Sequence, residues 1–121
     1  MASGVWFVLC RAVEGQREEL WEWYSKRHLP DLLAIPGIQR GRLYRLEGRK
    51  ADQEPSHDTL AMYDLEADDL STPLKEAGAR MGGPQMPRSA SLDSSKTLTF
   101  ISRTIVEMGE PDVDLSKDAA S

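Results

Sequence analysis

Apolar and polar positions change period along the chain, and the changes mark out elements. From Gly4 to Val13 the pattern is that of a strand. Val5, Phe7 and Leu9 face one way and Trp6, Val8 and Cys10 the other, since side chains alternate along a strand. Both faces are apolar, which predicts a strand buried on two sides. Gly15 to Arg27 takes up helical spacing: Leu20, Tyr24 and either Arg27 or His28 form one stripe, with Trp21 and Trp23 flanking it. Arg17, Glu18, Glu19, Glu22 and Lys26 cover the remaining surface, and Glu22 and Lys26 are helix neighbours. Pro30 disfavours helical dihedrals at Leu29, so the helix is expected to end near His28, with a short extra turn over Asp31 to Leu33.

Pro36-Gly37 then turns the chain into a second strand, Ile38 to Glu47. Ile38, Arg40, Arg42, Tyr44 and Leu46 should share one face and Gln39, Gly41, Leu43 and Arg45 the other. Arg49 to Ser56 is a polar loop, and Asp58 to Leu65 is a third strand with Leu60, Met62 and Asp64 opposite Thr59, Ala61 and Tyr63. A loop between strands two and three predicts an antiparallel hairpin. Glu66 to Arg80 is a weaker helix, with Leu70, Leu74, Ala77 and Met81 as its stripe and Thr72-Pro73 as an internal start signal; a kink or two short helices are expected. Gly82 to Asp93 reads as a mobile loop and Thr97 to Val106 as the last strand. The order β-α-β-β-α-β is the split βαβ, ferredoxin-like arrangement, an α+β fold with an antiparallel four-stranded sheet. Its helices cover one sheet face. A symmetric dimer would cover the other. Residues 1–108 thus form one domain, and 109–121 form a flexible acidic tail, poor in large apolar side chains.

Composition narrows the class. The chain has 121 residues and a net charge of -5, which argues against nucleic acid or an anionic membrane as its main partner. Its single cysteine, Cys10, cannot form an internal disulfide, which suits a reducing compartment. No signal-peptide pattern and no apolar run of roughly 20 residues is present, so a cytoplasmic location is expected.

Candidate chemistry gathers in Trp21 to Gly37. His28 is suited to acid-base work, because an imidazole titrates at about 6.5. A helix C-terminus there would favour its protonated form; the alternatives are a histidine that bonds the last helical carbonyls or one exposed at the surface. Tyr24, one turn earlier, orients the imidazole or lines a pocket, or is an ordinary core tyrosine. Arg42 and Tyr44 on one strand face could hold a carboxylate or an enolate oxygen, or belong to a solvated edge strand. Tyr63 and Arg103 are weaker candidates of the same kind. Trp6, Trp21, Trp23 and Phe100 fit a core or a dimer contact better than a substrate platform. His57 lies in a polar loop and is expected to be exposed. Two histidines without a close acid or thiol partner give no metal-ligand spacing. Gly82-Gly83 lacks the G-K-[ST] of a phosphate loop, and no cofactor-binding motif is present.

The run H-L-P-D-L-L-A-I-P-G from His28 to Gly37, after an aromatic-rich helix and before R-G-R-L-Y-R, resembles the dimeric α+β barrel superfamily. The likeness is to its EthD-like branch, with a W/Y…H…P…PG pattern, and A-M-Y-D-L-E from Ala61 to Glu66 is similar to that group's third strand entering its second helix. The resemblance implies the fold, a homodimer, and a functional histidine at His28. The superfamily includes cofactor-free monooxygenases, lactone isomerases, cyclases, lyases and proteins without known activity, and fold does not choose among them. The expectation is a cofactor-independent enzyme moving a proton on an aromatic, polyketide-like or lactone substrate. His28 would be its acid or base, and Tyr24, Arg42, Tyr44 and Tyr63 would surround the substrate. The alternative is a non-catalytic dimeric protein that binds a small ligand or serves as an accessory subunit.

Overall fold

The computed structural model describes residues 1–109; the acidic tail expected beyond them lies outside the described residues. Four strands, β1 (Ala2–Cys10), β2 (Ile38–Arg45), β3 (Thr59–Ala67) and β4 (Leu98–Arg103), form one antiparallel sheet in the order β2-β3-β1-β4. Between β1 and β2 runs a continuous helical segment: α1 (Arg17–Trp23), a π-turn (Tyr24–His28) and α2 (Leu29–Leu33). Between β3 and β4 lie α3 (Ser71–Arg80) and a single 3₁₀ turn, Ser94–Lys96. This is the α+β, ferredoxin-like arrangement.

Alternation along the strands produces two unlike faces. Gly4, Val8 and Cys10 of β1 and Thr59, Ala61, Tyr63 and Leu65 of β3 are buried beneath the helices. A side-chain carbon on Gly4 would meet Leu70, at the head of α3, and one on Gly41 would meet Leu29 of α2 at 2.9 Å. The tip of the Leu29 side chain and the Tyr63 ring, 3.3 Å from the same point, thus occupy the space above Gly41. Val5, Phe7 and Leu9 point to the other face with Leu60 and Met62, and Leu98 and Phe100 join them across β4. Among the described residues nothing covers that face: Phe100 is 57% exposed and Leu98 46%.

Four details differ from the sequence expectation. First, Pro30 does not end the helix. The N–H of Leu29 bonds the Tyr24 carbonyl, five residues back, and Leu29 keeps helical dihedrals. A proline ring normally collides with the carbonyl four residues earlier, and the wider π-turn opens that spacing. The same turn keeps one stripe on one face. Leu20, Tyr24, His28 and Leu32, each four apart, are all buried. In a pure α-helix Leu32 would lie about 120° round from Leu20; one residue absorbed by the π-turn reduces this to about 20°.

Second, Ile38 does not share a face with Arg40 and Arg42. A β-bulge sets Ile38 opposite Leu65 and Arg40 opposite Asp64, so two steps on β2 match one on β3. Ile38 thereby turns inward and is buried, while Arg40, Arg42 and Tyr44 stay on the helix-free face.

Third, α3 is a single helix. β3 extends to Ala67, and the Asp69 carboxylate accepts from the Ser71 N–H at 2.9 Å and the Ser71 hydroxyl at 2.8 Å just before the first turn, where Pro73 sits. Fourth, residues 82–93 are fastened rather than loose. Met86 is fully buried, Val13 N–H donates to the Ser91 carbonyl at 2.8 Å, and Asp93 N–H donates to the Arg11 carbonyl at 2.9 Å.

Candidate functional site

The chain between Tyr24 and Leu32 places its inward side chains over the covered face of β1 and β3. Tyr24 is 1% exposed and His28 6%. The imidazole stacks on Trp23, with ring centroids 4.5 Å apart and planes at 18°, and meets Tyr24 edge-on at 4.9 Å. Below it the hydroxyls of Tyr24 and Tyr63 share a hydrogen bond of 2.6 Å. Tyr63 packs in turn against Trp6, its partner across the β1–β3 pairing, at 5.1 Å.

These side chains border a cavity of about 160 Å³, lined by Trp6, Val8, Cys10, Tyr24, His28 and Leu32. Met81, at the end of α3, and Leu92, from the fastened loop, close its sides, and Thr97 and Thr99 of the β4 arm complete it. A larger concavity of about 640 Å³ lies elsewhere. It is bordered largely by ionic side chains, Arg11, Glu14, Arg17, Glu54 and Asp58 among them. One pair of its charges is matched: Asp58 accepts from Arg17 at 3.0 Å and also from the Ala12 N–H at 2.8 Å. The apolar cavity is the place where a small molecule could be enclosed.

Burial sets the electrostatics of this cavity. It lowers the His28 pKa to about 4, against a smaller opposing pull from Asp31. The imidazole is therefore neutral at pH 7. This corrects the sequence expectation of a protonated form, which depended on a helix end at His28; the helix continues to Leu33 and supplies no such terminus. Burial also pushes the Cys10 thiol up to about 11, and holds both tyrosine hydroxyls well above their ordinary range. The Nδ1 atom of His28 is sealed from solvent without a hydrogen-bond partner, which leaves Nε2 as the nitrogen able to meet another group.

Of the five residues singled out from sequence, the fold brings three together: His28, Tyr24 and Tyr63. Arg42 and Tyr44 lie opposite Met62 and Leu60 of β3, on the helix-free face, so the sheet separates them from His28. Arg42 donates to the Asp64 carboxylate at 3.2 Å there. His57 is half-buried rather than exposed; its ring nitrogens pair with the Ser56 hydroxyl at 2.8 Å and the Lys96 carbonyl at 2.9 Å, which ties its loop to the approach of β4. The cavity walls contributed by Trp6, Val8, Leu32 and Thr99 escaped sequence reasoning as site residues. A usable signal existed in the fourfold spacing from Tyr24 through His28 to Leu32. Among the described residues, no group of three His, Cys, Asp or Glu side chains is arranged to hold a metal ion, and no helix is long and apolar enough to cross a membrane.

No family model matches the chain, and no curated protein matches it. Among solved structures it is similar to an EthD-like protein from Ralstonia eutropha, with 18% identity, 91% of this chain and 98% of that one covered, and a TM-score of 0.64. It is also similar to an ethyl tert-butyl ether D (EthD) family protein from Bacillus halodurans, with 15% identity, coverage of 84% and 99%, and a TM-score of 0.49. The first of these likenesses shows that the chain has the fold of that EthD-like protein.

Proposed function

We propose that the protein is a cofactor-independent enzyme that moves a proton on a small aromatic, polyketide-like or lactone molecule, by isomerisation, cyclisation or elimination, with cofactor-free oxygenation as related chemistry. One observation carries the reading: a neutral imidazole, buried between two aromatic rings, borders an apolar cavity. At pH 7 such a group accepts a proton, so His28 acts as the general base. The step removes a proton from an acidic C–H or O–H of the substrate onto Nε2 and leaves the electron pair on the substrate. The imidazolium then lies beside the anion it has made, and this pairing offsets the cost of burying its charge. Tyr24 lines the pocket, and Tyr63 holds the Tyr24 hydroxyl in place.

A second reading, a non-catalytic protein that holds a small ligand, is favoured by a different observation. A base with a pKa of about 4 is weak, and neither Arg42 nor Tyr44 shares the cavity to stabilise an oxyanion. Screening lactones and phenolic compounds for turnover decides between the two. With any active substrate, His28→Gln should lose roughly 10²- to 10⁴-fold in rate, the usual worth of general acid-base catalysis, while His57→Ala keeps its activity once shown to be folded. A His28→Gln protein with nearly full rate across pH 6 to 8 would leave only the binding reading.

The proposal includes a homodimer that buries the helix-free face. Val5, Phe7, Leu9, Leu60, Met62 and Phe100 make that face apolar, and a second copy of the same face is a partner of the same chemistry. Sedimentation at micromolar concentration should give twice the 13.5 kDa chain mass. A stable monomer would remove the dimer from the account.

A further inference from the structure

The cavity beside His28 is small and apolar. We infer that it takes an uncharged molecule of one ring, such as a phenol or a simple lactone, and rejects both carboxylates and fused multi-ring compounds. The inference rests on the reading of this cavity as a ligand site and narrows the substrate class proposed for it.

Size comes first. The cavity holds about 160 Å³. An apolar protein cavity of about 150 Å³ accommodates a single benzene. A second fused ring would have to displace wall residues that are packed from behind. Tyr24 is pinned by Tyr63, Leu32 is fully buried, and Val8 sits in the centre of the sheet between β3 and β4. Among the described residues, Thr99 is the one wall residue that is exposed.

Charge is the second constraint. Among the described residues, no lysine, arginine, aspartate or glutamate lines the cavity. The titratable side chains in or behind its wall, His28, Tyr24, Tyr63 and Cys10, are all driven by burial toward their neutral forms. The nearest acid acting on His28, Asp31, is engaged by Arg27 at 2.8 Å. Arg42, the cation that a carboxylate would need, is on the opposite face of the sheet. A carboxylate entering this space would surrender its hydration without gaining a counter-charge. A neutral ring has no such penalty. It can stack within the walls formed by Trp6 and Tyr24 and direct one hydroxyl or carbonyl to His28.

The full-length protein at pH 7 is titrated with phenol, benzoate and 2-naphthol, and ¹H–¹⁵N NMR shifts are followed. Phenol should move the Trp6, Val8 and Cys10 amides, and benzoate and 2-naphthol should bind at least about tenfold more weakly at those amides. Benzoate binding within threefold of phenol, 2-naphthol binding more tightly than phenol, or phenol shifts absent from these residues would each overturn the inference. These failures are separable from failure of the enzymatic reading. Phenol-selective binding with a fully active His28→Gln protein would sink only the catalysis. Turnover of a fused-ring substrate that depends on His28 would sink only the size limit.

Discussion

The two faces of the sheet are built from the same strands, one residue out of step, and they handle polar chemistry in opposite ways. On the helix-covered face the polar groups are few, buried and neutral: the paired hydroxyls of Tyr24 and Tyr63, the thiol of Cys10 and the imidazole of His28. On the helix-free face they are ionic and partly wet, as in Arg42 with Asp64, whose side chains are 35% and 37% exposed. The difference follows from what covers each face. Helices packed on one side raise the cost of charge there and leave an apolar cavity, whereas charges on the open side keep their water. Under the proposed function, proton transfer to a neutral base would belong to the first environment, and association of like surfaces to the second.

The comparison can be broken most forcefully by truncation. Tyr63→Ala empties a fully buried site and strips the Tyr24 hydroxyl of its partner, so urea unfolding should show a loss of about 3–5 kcal/mol. Arg42→Met on the other face removes a half-exposed ion pair and should change stability by less than about 1 kcal/mol. Equal losses would mean that the two faces are not energetically distinct.

A smaller effect comes from pH. The folded-state pKa of His28, about 4, lies below its unfolded value of 6.5, so the unfolded chain binds more protons between those limits. Stability should therefore fall as pH drops from 6.5 toward 4, with a contribution from His28 of roughly 3 kcal/mol at the low end. Tyr24, Tyr63 and Cys10, which face His28 or its cavity, stay neutral throughout this range and add no slope, while Asp31 opposes the shift. Denaturant melts of His28→Leu at pH 7, 5.5 and 4.5 should show a flatter dependence than the parent; an unchanged slope would assign the acid sensitivity to other groups.

Much of this division was legible in the sequence. The apolar doublet of faces in β1 follows from strict alternation, and the partition of β3 into Tyr63 and Met62 sides has the same origin. What stayed hidden were two one-residue irregularities. The bulge at Ile38 to Arg40 depends on how β2 registers against Leu65 and Asp64, and no local signal announces it. The π-turn is masked by Pro30, which on propensity alone reads as a stop; only the packing of Leu20, Tyr24, His28 and Leu32 on one sheet overrides it. The two slips explain the site. The π-turn carries Leu32 into the wall beneath His28, and the bulge separates Ile38 from the Arg42 face. Arg42 and Tyr44 were associated with His28 because the chain turns at Pro36-Gly37, yet nearness along the chain does not tell which side of a sheet a residue occupies.

The central claim, a neutral base held in an apolar cavity, is tested most directly by following the His28 imidazole resonances by NMR from pH 8 to pH 3.5 in the wild-type protein. The account predicts a single titration near pH 4, with the ring neutral throughout the physiological range. A midpoint close to 6.5, the ordinary value for a hydrated imidazole, would place His28 in water and contradict the cavity, the neutral base and the charge selectivity together.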